Sequence, residues 1–361
     1  MDQKFSINPD IRQASTLPSS FYKDPQVFEA VREKVFYRSW QWIGDEGMLE
    51  SGSSAYPFVL LEDYLDEPMV VTRDSKGEMH CLSNVCTHRG YLVVTSAGKT
   101  SKLRCSYHGR RFRTDGSFEF MPEFGETRDF PRSCDDLHRF PLLRWGPLLF
   151  AGLNPAFDFQ KVLEIMEERV GFLPLHQLKE DTTRGKDYFI NAHWALYCDN
   201  YLEGFHIPFV HEGLNTVIDY GDYETRCFDH VNVQIGYAKG GTVFELPKGH
   251  VDYGKEVAAY YFWVFPNMMF NFYPWGLSVN WVQPLGMDRT RVTFKSYVLD
   301  PAKLDRGAGA DLDKVEMEDE EVVEGVHRGI RSRFYKAGRF SPSREQGVHH
   351  VHSLLADFLN R

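Results

Sequence analysis

The chain has 361 residues, enough for two packed domains, and its 42% hydrophobic and 25% charged content is that of an ordinary globular protein. With 51 acidic against 41 basic residues the formal net charge is −10, which argues against a nucleic-acid binder, whose phosphate partner needs a basic face. Six cysteines (81, 86, 105, 134, 198 and 227) show no disulfide-framework spacing, and the N-terminus carries no apolar run of signal-peptide length, so a reducing, cytoplasmic setting is expected.

Residues 18 to 40 open with a serine cap signal and continue with Val27, Phe28, Val31, Val35 and Phe36 at helical spacing. From about Trp42 short strands punctuated by Gly and Pro take over: Ala55 to Leu61, Pro68 to Arg73, Glu78 to Val85, Lys102 to Cys105, Arg111 to Thr114 and Leu142 to Leu153. This small all-β unit ends around Asn154-Pro155. Beyond it, Phe228 to Gly236, Gly241 to Leu246, Ala258 to Phe265, Met268 to Tyr273, Leu277 to Pro284 and Arg289 to Leu299 read as consecutive antiparallel strands. A long helix is expected from near Asp311 to Tyr335. The most apolar window, Tyr260 to Leu277, contains Pro266, Asn267, Asn271 and Pro274, which break a membrane helix, so it predicts buried strands and no membrane span.

Two phosphate-site decoys are dismissed. Gly98-Lys99-Thr100 has Val93 where a P-loop needs its first glycine, and Gly307-Ala308-Gly309 has Leu312 at the third glycine position of a dinucleotide fingerprint. With no nicotinamide or flavin site, electrons must come from another protein.

The strongest signal is Cys86-Thr87-His88, then sixteen residues, then Cys105-Ser106-Tyr107-His108. Structural zinc in a finger expects paired cysteines followed by paired histidines. Here each half is mixed, one thiolate with one imidazole. A [2Fe–2S] centre of Rieske type needs that set, with cysteines on one iron and histidines on the other. Structural zinc is the alternative.

A second constellation runs from Asn200 through Glu203 and His206 to His211. On a helix Glu203 and His206 share a face, and Pro208 interrupts the helix so that His211 swings back toward the same ion. Two imidazoles plus one carboxylate with open positions is the facial arrangement of non-haem Fe(II). For the carboxylate, about 100° per residue gathers Val315, Val322, Val323, Val326 and Ile330 into one apolar stripe with Asp319 in its middle. A carboxylate there costs several kcal/mol unless paired or metal-bound. Asp319 is therefore the expected ligand, with Glu318 as the alternative. Glu316, Glu320, Glu321 and Glu324 are expected on a solvated face.

Taken together, the chain resembles the α subunit of a Rieske non-haem iron oxygenase, and within that group the choline monooxygenase-like enzymes. The matching segments are Leu17-Pro-Ser-Ser-Phe-Tyr22, Asn84-Val-Cys86-Thr-His88-Arg89, Asn200 to His211, Met317-Glu-Asp319, Glu324 to Gly329 and Gly347 to His352. The resemblance implies an α+β fold: a small all-β Rieske domain over 39–154, and a helix-grip catalytic domain (an antiparallel sheet wrapped on a long helix) over 155–361. The helical segment 1–38 would pack on the latter. It further implies that Cys86, His88, Cys105 and His108 hold the [2Fe–2S] cluster and that His206, His211 and Asp319 hold Fe(II). Glu203 would be the carboxylate linking a cluster histidine of one subunit to an iron histidine of the next in a homotrimer; orienting His206 within one chain is the alternative.

The implied activity is O₂-dependent hydroxylation or N-dealkylation of a small organic substrate, such as a quaternary ammonium compound, with electrons from a separate NAD(P)H-dependent flavin or ferredoxin reductase. Alternatives are an aromatic ring-hydroxylating dioxygenase α subunit with a β partner, or a Rieske electron carrier without chemistry. Arg110 and Ser106 depart from the tryptophan and proline common in the family at those places, and Arg110 sets a fixed charge beside the cluster. Glu203 stands where aromatic dioxygenases usually carry aspartate. The aromatic run Tyr260 to Trp275 offers faces for a quaternary ammonium group or simply core. His349, His350 and His352, with His193 and Cys81, Cys134, Cys198 and Cys227, are expected to be structural.

Overall fold

The computed structural model describes residues 4–49, 54–310 and 312–361. These form two compact units, Trp40–Pro155 and Met1–Ser39 with Ala156–Arg361.

The smaller unit is built from short antiparallel strands: β1 (Trp40–Asp45), β2 (Ala55–Leu60), β3 (Glu67–Arg73), β4 (Met79–Ser83), β5 (Leu103–Arg104), β6 (Arg111–Phe112), β7 (Phe118–Phe120), β8 (Arg139–Phe140), β9 (Leu142–Trp145) and β10 (Leu148–Gly152). They pair as β1-β10-β9, β2-β3-β4-β8 and β5-β6-β7. Strand alternation divides its interior into two cores. Val70 and Leu82 face one core with Cys86, Cys105 and Phe112, whereas Met69, Val71 and Cys81 face another with Leu149 and Ala151.

The larger unit begins with α1 (Ser19–Lys23) and α2 (Pro25–Val31), the latter running into a π-helical turn, Arg32–Phe36. The expected serine cap is replaced by Asp24, whose carboxylate accepts from the Gln26 amide at 2.9 Å, with Pro25 at the first helical position. Then come α3 (Phe159–Val170), β11 (Lys179–Glu180), β12 (Lys186–Ile190), α4 (Trp194–Tyr201), α5 (Ile207–Val210) and α6 (Glu212–Val217). The main sheet adds β13 (Glu224–Phe228), β14 (Val231–Tyr237), β15 (Val257–Val264), β16 (Met268–Tyr273), β17 (Gly276–Gly286) and β18 (Arg289–Val298), in the order β11-β18-β17-β16-β15-β14-β13 with β12 also on β18. Helices α7 (Leu312–Gly329) and α8 (Gln346–Asn360) complete it. The fold is the expected α+β arrangement, an all-β unit and an antiparallel sheet gripping helices.

Three expectations are corrected. Gly241 to Leu246 is not a strand: Gly240 and Gly241 adopt φ of +110° and +101°, and only Phe244 reaches β15, its amide donating to the Val257 carbonyl at 2.9 Å. Helix α7 stops at Gly329 rather than Tyr335, and its expected start at Asp311 lies outside the described residues. The helix is also rotated from the anticipated stripe: Val326 is 44% exposed, while Glu316, Val323 and His327 are buried. No helix among the described residues is long and apolar enough to cross a membrane.

Candidate metal centres and cavity

In the smaller unit two loops share one backbone design. The Gly90 amide donates to the Cys86 carbonyl at 2.9 Å, and the Gly109 amide donates to the Cys105 carbonyl at 3.1 Å. Both glycines close their turns at φ near +70°, +71° and +74°, where a side chain would be strained. The turns place both cysteines inside, 3% and 2% exposed, and the histidines toward the surface with ring centroids 4.8 Å apart. Neither cysteine is in a disulfide. Two buried thiols and two adjacent imidazoles are a donor set that fits a mixed-ligand iron–sulfur cluster. Burial raises the Cys86 pKa and lowers that of His88. Asp135 ties the two loops together: its carbonyl accepts from Thr87 Oγ1 at 2.8 Å and from Arg110 at 3.0 Å, and its carboxylate pairs with Arg110 at 2.7 Å. Arg110 is 2% exposed, with its guanidinium 5.0 to 5.6 Å from the rings of Phe112, Phe118 and Phe130.

In the larger unit His206, His211 and Asp319 converge. His206 Nε2 is 3.1 Å from His211 Nε2, and Asp319 Oδ1 lies 3.0 Å from His211 Nε2 and 3.6 Å from His206 Nε2. Three donor atoms this near one another can share one ion, and they are the two-histidine, one-carboxylate set suited to ferrous iron. Each imidazole is held from behind by a different acid. His206 Nδ1 stands 2.7 Å from Glu203 Oε1, and His211 Nδ1 stands 2.8 Å from Glu318 Oε2. A proton on each Nδ1 donates to that acid and leaves each Nε2 lone pair facing the common point. Burial opposes charge on His211, but the hydrogen bonds and charges of Asp319 and Glu318 outweigh it and raise its pKa.

The route to this geometry is not the helix anticipated. Glu203 lies past the end of α4, and its Oε2 caps the turn by accepting from the amides of Phe205 and His206. Pro208 is in the first turn of α5 and starts a helix rather than breaking one. His211 then follows that helix as its last boundary residue.

Helices α4 and α7 are joined by two rungs. Tyr197 donates to Glu316 Oε2 at 2.6 Å, and Asn200 Nδ2 donates to Asp319 Oδ1 at 2.6 Å. Glu316, expected in solvent, is 3% exposed.

The donors open on a cavity of about 110 Å³, comparable with one of about 150 Å³ that admits benzene. Its floor includes one row across the sheet: Gln234 opposite Tyr261, Tyr261 opposite Asn271, and Asn271 opposite Ser278. Of the aromatic residues named from sequence, Tyr261 and Tyr273 line the cavity; Tyr260, Phe262, Trp263, Phe265, Phe270, Phe272 and Trp275 are buried outside its lining. Tyr197, Tyr201 and Tyr223 join the lining, and burial holds all five phenols above their ordinary pKa. The roles of Asn200, Glu316 and the polar row were not foreseen, although Asn271, Ser278 and Asn280 stand out as polar residues within apolar strands. His349, His350 and His352 form no metal group among the described residues; His352 lies between Asp199, at 3.0 Å, and the Leu17 amide, at 3.0 Å.

A model of the Rieske [2Fe–2S] domain matches residues 39–131, and one of the ring-hydroxylating alpha subunit catalytic domain matches residues 175–361. The chain is 32% identical to the chloroplastic choline monooxygenase of Arabidopsis thaliana over 98% of its own length and 85% of that protein. It is 26% identical to the carnitine monooxygenase oxygenase subunit of Escherichia coli (strain K12), covering 99% of this chain and 96% of that one. The crystal structure of a quaternary ammonium Rieske monooxygenase aligns with a TM-score of 0.77 at 22% identity, over 98% of this chain and 99% of that chain. The chain is an oxidoreductase of the Rieske non-haem iron oxygenase family, with a [2Fe–2S] Rieske cluster and a mononuclear iron as its cofactors.

Proposed function

We propose that this oxygenase hydroxylates or N-dealkylates a small quaternary ammonium compound, drawing electrons from a separate NAD(P)H-dependent flavin or ferredoxin reductase. The carrying observation is the cavity's electrostatics. Five tyrosines and the acids Glu203, Glu316 and Asp319 line it, and among the described residues no lysine or arginine does. Aromatic faces attract a cation, and a substrate carboxylate would find no lysine or arginine there. Tyr261 and Tyr273 stand nearly perpendicular, at 80° with centroids 5.9 Å apart, and make a corner for a rounded ammonium head.

In this reading Cys86, His88, Cys105 and His108 hold the cluster, and His206, His211 and Asp319 hold the iron. When bound, the cluster supplies single electrons and the iron activates O₂. Glu203 and Glu318 keep the Nδ1 protons on their imidazoles, and Asn200 fixes the Asp319 carboxylate. Glu203 additionally serves as the carboxylate through which electrons arrive from the partner subunit's cluster in a homotrimer.

The test is metal analysis followed by turnover. Anaerobically purified protein should contain about three irons and about two acid-labile sulfides per chain. With a surrogate reductase, choline and related trimethylammonium compounds should stimulate O₂-dependent NADH consumption with product formed. About one zinc and no sulfide, or turnover of arenes alone, overturns the reading.

A further inference from the structure

The cavity wall holds a carboxylate that the metal centre does not use. Glu316 sits on α7 one turn before Asp319 and lines the same cavity as His206 and His211. Its Oε2 accepts the Tyr197 hydroxyl, while its Oε1, shut off from solvent, has no hydrogen-bond partner among the described residues. A buried carboxylate left in that condition is strongly disfavoured when ionised. The other buried polar atom of the lining without a partner, Gln234 Oε1, is also an acceptor. Among the described residues, no lysine or arginine lines the wall to meet these two acceptors. Burial pushes the Glu316 carboxyl well above the usual carboxylate range, so a lone charge there is disfavoured.

We infer that Glu316 is the counter-charge for the substrate's cationic nitrogen, with Tyr197 anchoring one carboxylate oxygen and the other facing the cation. This makes Glu316 the residue by which the cavity separates a cation from a neutral molecule of the same shape. A quaternary nitrogen carries no N–H, so the attraction is charge acting through its methyl groups, and the buried setting strengthens it. The inference rests on the quaternary ammonium reading above. Asp319 is set aside because its Oδ1 already meets Asn200 and the two histidines with which it would share the metal.

The experiment compares choline with 3,3-dimethylbutan-1-ol, its neutral carbon isostere, on the holoenzyme with both metal centres loaded. Wild type should bind choline at least about tenfold more tightly, the ratio worth one well-placed charge contact. Glu316→Gln should raise the choline KM about tenfold or more, leave the isostere within about twofold, and bring the ratio near one. Glu316→Asp, which restores the charge, should recover part of the preference. Tyr197→Phe, an independent variant should Glu316→Gln not fold, should weaken choline severalfold and the isostere hardly at all. If Glu316→Gln and Tyr197→Phe both keep the wild-type ratio, the role of Glu316 is overturned while the cationic-substrate reading stands. A wild-type ratio near one overturns both.

Discussion

Glu318 and Asp319, neighbours in the chain, address opposite nitrogens of one imidazole: Glu318 meets His211 Nδ1 at 2.8 Å and Asp319 meets Nε2 at 3.0 Å. On the proposed assignment the pair divides into one metal-facing acid and one that fixes the ring. Asp319→Ala should lose the mononuclear iron and turnover while the cluster absorption stays intact. Glu318→Ala should keep the site but bind iron about 10–100-fold more weakly, measured by chelator competition. Glu321→Ala, on an exposed position, should match wild type.

Glu203 carries a different expectation. Its two oxygens hold His206 Nδ1 and the amides of residues 205 and 206. Glu203→Gln keeps an acceptor for one of these and sets an NH₂ against the other. Iron should be bound more weakly by about tenfold. In protein reloaded with iron, reoxidation of the reduced cluster by O₂ with substrate bound should be slowed far more than that. Wild-type single-turnover rates at full iron would remove Glu203 from the electron path.

Arg110 and Asp135 should move the cluster potential in opposite directions. A positive charge stabilises the more negative reduced cluster. Arg110→Gln should therefore lower the midpoint potential, and Asp135→Asn, which leaves the arginine unpaired, should raise it. Breaking this mostly buried pair should also cost about 3 kcal/mol of stability. Redox titration followed by electron paramagnetic resonance and denaturant unfolding read the two effects.

His193 supplies a pH test. Its ring is 1% exposed among Phe21, Tyr22 and Phe28, its Nδ1 accepts from the Ala195 amide at 3.3 Å, and burial depresses its pKa from 6.5 to about 3. The folded state thus refuses a proton that the unfolded chain accepts. Its contribution is complete above pH 6.5 and is lost progressively as pH falls toward 3. Between pH 7 and 4.5 this group alone should cost about 2–3 kcal/mol. His193→Asn, which keeps a cap acceptor, should lose that much less stability over the same interval in urea unfolding.

Cofactor chemistry was legible because it rests on residue types at fixed short spacings, as in Cys86 to His108 and His206 to His211. The main-sheet strands were legible as short apolar runs set off by Gly, Pro and Asn, and β15 and β16 are buried along nearly their whole length. What escaped depends on rotation and capping, which apolar periodicity describes poorly. Helix α7 is rich in acids, so its valines define a stripe only loosely, and the hydrogen bonds to Tyr197 and Asn200 turn Glu316 inward. Glu203 looked helical because three-residue spacing is shared by helices and capped turns. Gly240 and Gly241 removed a strand that composition alone supported.

The two rungs between α4 and α7 have a consequence for regiochemistry. Tyr197–Glu316 and Asn200–Asp319 both advance by three residues, so the helices run in the same direction and clamp the two acids one turn apart. Three residues of helix rise about 4.5 Å. If, as proposed, an ammonium head sits at the first acid and the second faces the metal, that rise works as a ruler between them. The carbon presented for oxidation is then set by its reach from the nitrogen, and lengthening the substrate by one methylene should shift the product rather than abolish it.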